Sequence, residues 1–218
     1  MTRNYFDKEL QELHLLMLKM CTVVEEALIN SVHALKNQDI EMAQGVIDGD
    51  DVIDDMEHAI EDKCLKLIAL QAPMAKDLRF IATALKIITD LERIADHAVD
   101  ISKITVRLSG EKYIKELIDI PRMGEIATRM VKESIDAYVK QDTEKAHEVA
   151  KMDDEVDALY KQIFRELLLI MMEDPKKINQ ATNFLFVSKS LERIGDYVTN
   201  ICEKIIYSIT SEHYNLND

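Results

Sequence analysis

The chain has 218 residues, enough for one large or two small domains, and 47% of them are apolar, enough to bury a substantial core. Five glycines, three prolines, no tryptophan and 31% charged residues argue against a strand-rich fold with many tight turns and for long helices. A net charge of −14 makes nucleic acid an unsuitable partner, because a phosphate backbone selects basic patches; cations or basic protein surfaces suit it better.

The chain opens MTRNYFDKELQEL, charged from the start and without the apolar core of a signal peptide, so export is not expected and the cytoplasm is the natural compartment. Phe6, Leu10, Leu13, Met17, Met20, Val24, Ala27, Ser31 and Leu35 then step by fours and threes, which predicts one long helix. Asp39, after a short turn, is placed as an N-cap. Asp50 and Asp54 open a middle helix, Glu57 and Glu61 continue the same four-residue step, and Pro73 marks the junction to a third helix. That third helix carries DLERIADHAVDI at 90–101.

The segment SGEKYIKELIDIPR (109–122) contains Gly110 and Pro121 and breaks the helical period, as a linker does. Beyond it the pattern returns. ALKNQDIEMAQGVIDGDDVID (34–54) aligns with AYVKQDTEKAHEVAKMDDEVD (137–157) at an offset of 103, and LERI at 91 matches LERI at 191 at an offset of 100. Asp142 repeats the cap, Asp153 and Asp157 repeat the acidic opening of the middle helix, and Pro175 repeats the junction. The expected fold is therefore all-α: a first three-helix bundle over 1–108, a linker over 109–120 and a second bundle over 121–218. The most apolar run, Leu167 to Met172, is far short of the ~20 residues of a membrane-spanning helix.

Glu92, Asp96 and Asp100, with Glu192, Asp196 and Asn200 in the second half, recur every four residues beside the apolar face of the third helix. Leu85 and Leu185 stand seven residues earlier in the same angular sector, so these carboxylates border the core and are expected to be partly desolvated. Like charges stacked this way repel. One resolution is a hard cation such as Mg²⁺, Mn²⁺ or iron, held by this strip together with Asp50 and Asp54, or Asp153 and Asp157, from the middle helix. The other is a solvated face on which Arg93 and Arg193 pair with neighbouring carboxylates; spacing alone favours the solvated face, and the repetition of the phrase narrows the difference.

Other chemistry has little support. His97 adjoins Asp96 but points ~100° away. Cys21, Cys64 and Cys202 have no CxxC spacing, so neither a disulfide framework nor a cysteine zinc site is indicated. No GxxxxGK[ST], GxGxxG or GxSxG motif occurs, so no catalytic residue is assigned.

The segments PMAKDLRFIATALKIITDLERIADHAVDI and FLFVSKSLERIGDYVTNICEKIIYS resemble the two halves of the PhoU family of phosphate-transport accessory proteins. The resemblance implies a cytoplasmic, non-enzymatic regulator that links the ATPase subunit of a phosphate ABC transporter to a sensor histidine kinase. Such a regulator restrains phosphate uptake and the starvation response when phosphate is plentiful, as a homodimer associated only peripherally with the membrane complex. It also implies metal ions (iron, zinc, manganese or magnesium) on the acidic strips, carried here onto Glu92, Asp96, Asp100, Glu192 and Asp196; Asn200 offers only a neutral oxygen, and Ala95 stands where the family phrase ERIGD, retained around Gly195, has glycine. A metal-buffering or storage bundle without a regulatory partner is the alternative. A di-iron carboxylate enzyme is disfavoured, since it wants an inward Glu-x-x-His on each of two helices and the chain does not supply the two.

Overall fold

The computed structural model describes residues 3–216. Within them lie eight α-helices: α1 (Arg3–Asn37), α2 (Ile40–Asp48), α3 (Asp50–Gln71) and α4 (Ala75–Arg107) in the first half, then α5 (Asp119–Lys140), α6 (Thr143–Ala150), α7 (Asp153–Glu173) and α8 (Ile178–Thr210), with a 3₁₀ turn at Pro175–Lys177 before α8. The three helices expected in each half are the three long ones. The short α2 and α6 fill the connection between the first and the middle helix.

The same local chemistry builds both connections. Gln38 and Gln141 end the preceding helices in the left-handed region (φ 57° and 53°), turning the chain so that the Asp39 and Asp142 side chains accept from the Met42 and Lys145 amides, each at 2.9 Å. After α2, Asp50 and Asp51 occupy the first turn of α3; after α6, Asp153 and Asp154 occupy the first turn of α7, where the helix dipole favours negative charge.

The two halves do not keep separate interiors. The helices α1, α4, α5 and α8 pack against one another at the centre, and α3 and α7 lie outside them against α4 and α8. The buried residues form one continuous cluster running from Leu13, Met17 and Val24 through Leu91 and Ile94 to Leu191, Ile194 and Ile201. Across the halves, Phe80 and Tyr138 stack with ring centroids 4.3 Å apart, and the Tyr138 hydroxyl donates to the Phe80 carbonyl at 3.1 Å. Asp90 on α4, 3% exposed, pairs with Lys204 on α8. The connection between α4 and α5 is tied down too: the Tyr113 hydroxyl donates to the Leu35 carbonyl at 2.8 Å, and Gln180 accepts from the Ile114 amide while donating to Glu111 at 3.0 Å.

Candidate metal centre

Both acidic phrases lie where an outer helix packs on an inner one. In the first half Asp50, Asp54 and Glu57 of α3 gather with Glu92 and Asp96 of α4 in a single acidic basin. Burial, then the charges of Asp96, Glu57 and Asp54, push the Glu92 carboxyl up to about 7, against a downward pull from Arg93. Asp50 is raised by burial and then by Asp54 and Asp96. The Thr89 hydroxyl donates to Glu57 Oε1 at 2.9 Å. Among the described residues, none of these five carboxylates makes an ion pair. Features of a solvated face are present as well: Asp96 is exposed, and Arg93 pairs with the neighbouring Asp90 at 3.9 Å while lying 5.7 Å over the Tyr197 ring; Arg193 pulls Asp196 down but makes no ion pair among the described residues.

In the second half Asp153 and Asp157 of α7 meet Glu192 and Asp196 of α8. Burial, then Asp196, Asp157 and Glu192, push the Asp153 carboxyl up to about 7, and Asp196 is raised by burial and by Glu192. This basin is not a copy of the first. Tyr160 stands in place of Glu57 and Lys189 in place of Thr89. The Lys189 ammonium pairs with Glu192 and lies 5.4 Å over the Tyr160 ring, while Lys161 pairs with Asp157 at 2.9 Å. The second basin thus holds lysines in direct ion pairs, whereas Arg93 and Lys103 act on the first only at longer range.

Gly195 has a specific role here. A Cβ at this position would stand 2.1 Å from Asp153 Oδ1, so the missing side chain lets that carboxylate lie against the backbone of α8. Asp153 Oδ1 is buried and has no hydrogen-bond partner; Oδ2 receives a 3.5 Å contact from the Thr199 hydroxyl. The matching position in the first half, Ala95, borders one cleft with Asp50. Gly195→Ala should therefore swing Asp153 toward water and lower its carboxyl pKa, while alanine's better helix propensity, worth ~0.5–1 kcal/mol, keeps the melting temperature level or higher. Carboxyl titration by NMR checks this, and an unmoved Asp153 titration would refute it.

The four-residue step carries the ends of the strips out of the basins. Asp100 is exposed and lines another cleft with His97, Lys103 and Arg193; Asn200 borders Arg193, Asp196 and Tyr197. His97 joins neither basin. The three cysteines are buried in the core, and burial pushes the Cys64 and Cys202 thiols up to about 12.

Facing carboxylates are a donor set for a hard cation, and the unpartnered Oδ1 of Asp153 supplies an acceptor beside the second basin. Among the described residues no group of three or more His, Cys, Asp or Glu side chains is already arranged to hold an ion. The residue types fit a metal; enclosing one takes side-chain rotation.

Fold and site together define a class: a duplicated, all-helical bundle protein with one carboxylate basin per repeat. The PhoU domain profile matches twice, at residues 17–105 and 120–205. The chain is 52% identical to a phosphate-specific transport system accessory protein PhoU homologue of Clostridium acetobutylicum, with both chains covered in full. The crystal structure of PhoU from Pseudomonas aeruginosa superposes with a TM-score of 0.91 at 36% identity, over 95% of this chain and 100% of that one. The phosphate transport system regulatory protein PhoU from Streptococcus pneumoniae superposes with a TM-score of 0.89 at 32% identity, over 96% and 99%. The chain belongs to the PhoU family.

Proposed function

We propose that this chain is a non-catalytic regulator in the cytoplasm that couples the ATPase subunit of a phosphate ABC transporter to a sensor histidine kinase, restraining phosphate uptake and starvation signalling when phosphate is plentiful. Family membership supports the phosphate-transport setting, since the Clostridium acetobutylicum relative is named as an accessory protein and the Streptococcus pneumoniae relative as a regulatory protein of such systems. The observation that carries the binding role is the pair of basins, in which burial and mutual repulsion raise Glu92 and Asp153 to about 7. Asp50, Asp54, Glu57, Glu92 and Asp96 would hold a cation in the first basin, and Asp153, Asp157, Glu192 and Asp196 in the second. Iron, zinc, manganese or magnesium bound there would supply positive charge that cancels this repulsion. Among the described residues no helix is long and apolar enough to cross a membrane. In this reading the protein acts as a homodimer that meets the membrane complex through its protein subunits.

A strain lacking the protein should take up more phosphate and express starvation genes in phosphate-rich medium, and the purified protein should retain the transporter ATPase in a pull-down. An unchanged response in the deletion strain removes the regulatory reading. Metal binding without either partner effect would leave only the buffering role.

A further inference from the structure

The charge of this molecule is unevenly placed. Although the chain carries −14 overall, one cleft of about 440 Å³ between α4 and α8 is walled by Lys103 and Arg107 from the first half and by Lys189 and Arg193 from the second, with His97 beside them. Asp100 is the one carboxylate on that wall. The repeat does not account for this collection. At the offset of 100, Lys103, Arg107, Lys189 and His97 correspond to Glu203, Tyr207, Thr89 and Tyr197; the opposite side of the α4–α8 pair keeps Arg93 and has Lys86 and Lys204 where this wall has Phe186 and Ile104, but Lys204 is paired with Asp90 and Glu203 adds a negative charge, so that side is less basic.

Several of these groups are not neutralised by an ion pair among the described residues, although Lys103 and Arg193 feel Asp50 and Asp196 at longer range. Lys103 and Arg193 are exposed and make no ion pair among the described residues. The Arg107 guanidinium donates to Asn183 Oδ1 at 3.1 Å, a neutral acceptor that orients it without cancelling its charge. The Nδ1 of His97 is buried and unpartnered. Lys189, already paired with Glu192, contributes to the wall with part of its charge committed. Converging cations repel unless an anion sits among them, and guanidinium forks match the oxygens of a phosphate group in bidentate geometry. The cleft exceeds the size of one phosphate group, and the Phe186 ring on its wall, in a residue 57% exposed, offers an aromatic face to a larger ligand.

We propose that the α4–α8 cleft is a binding site for a phosphate-bearing anion, inorganic phosphate or a nucleoside phosphate, held by Lys103, Arg107 and Arg193. It borders the acidic basins, since Lys189 pairs with Glu192 and Lys103 and Arg193 act on Asp50 and Asp196, but it does not depend on the regulatory reading. Because its cations come from both halves, an occupant bridges the two repeats directly.

Isothermal titration of the full chain with inorganic phosphate, and separately with ADP, tests this. At least one should bind saturably, more weakly as sodium chloride rises. The Lys103→Gln/Arg193→Gln double variant should lose about tenfold or more in affinity. Both residues are exposed, so its circular dichroism and melting temperature should match the parent's. Arg93→Gln, on the opposite side, should leave binding unchanged. The tighter of the two ligands names the source of the phosphate group. Absence of saturable binding by both at millimolar concentration, or equal binding by the double variant, would overturn the proposal. Deletion-strain phenotypes bear on the regulatory role alone, so the two readings fail separately.

Discussion

Lowering the pH of the metal-free protein from 8 to 6 should raise its melting temperature. Glu92 and Asp153 are pushed up to about 7 from ordinary values of 4.5 and 3.8, so in this window the folded chain binds protons that the unfolded chain does not. Stability conferred by a raised carboxyl is fully present below its unfolded pKa and is lost as pH rises through its folded pKa. The gain between pH 8 and 6 is about 1 kcal/mol from each group once solvent screening is allowed for. Asp50, Asp90 and Asp196 are also raised, chiefly by burial, and add in the same direction. Below pH ~6.5 the effect weakens, because burial holds His14 and His97 neutral and acidification must charge them. Calorimetry across this range in the presence of a chelator provides the measurement. A melting temperature that is flat or falling from pH 8 to 6 would show that the basins are not under electrostatic strain. Saturating metal should flatten the profile, since the ion takes the place of the protons.

The second large effect is expected from removing charge in both basins. Asp96→Asn with Asp196→Asn keeps side-chain shape and gives up the charge that attracts a cation, so bound metal should fall while the helices remain. At a metal concentration one hundred times the dissociation constant, the ion stabilises the wild-type fold by ~2.7 kcal/mol, and chelation should remove that amount from wild type but less from the double variant. The single variants should differ. The first basin has five carboxylates and no lysine ion pair among the described residues, whereas Lys189 and Lys161 already pair within the second, so Asp96→Asn should release more metal than Asp196→Asn. If wild type purified with metal supplied contains no stoichiometric ion, and chelator moves neither melting temperature, the basins are not metal sites.

Much of this arrangement was legible in the residues. The apolar step of α1 and the Asp39 and Asp142 caps obey local rules that a single stretch of sequence displays, and the structure places them as expected. The facing of Asp50 and Asp54 with Glu92, and of Asp153 with Glu192, was legible because a repeated acidic opening and a repeated acidic strip have few ways to pack in a bundle. The ends of the strips were not. Each four-residue step turns ~40° past a full turn, so after two steps Asp100 stands ~80° from Glu92 and lines a different cleft. The exchange of Glu57 and Thr89 for Tyr160 and Lys189 was half visible: the Tyr160 substitution shows along one helix, but its partner emerges only when α7 is laid on α8. Gly195 was visible as a departure between the repeats, yet nothing in the spacing identifies Asp153 as the group it admits. The shared interior was hidden for a similar reason. A stripe such as Leu91, Ile94, Ala95, Ala98, Val99 and Ile101 on α4 is wide enough to serve two neighbours, and width alone does not say whose they are.

That shared interior has a consequence for ancestry. Cut from its partner, the first repeat would bare the inner faces of α1 and α4, and the surface best shaped to cover them is the corresponding pair from another repeat, as α5 and α8 cover them here. The tandem chain is in this sense a twofold dimer written into one polypeptide. In one polypeptide the two copies need not match, since a substitution in one repeat does not fall on both sides of the axis at once. One repeat has Glu57 and Thr89 where the other has Tyr160 and Lys189, a difference that two identical subunits could not carry.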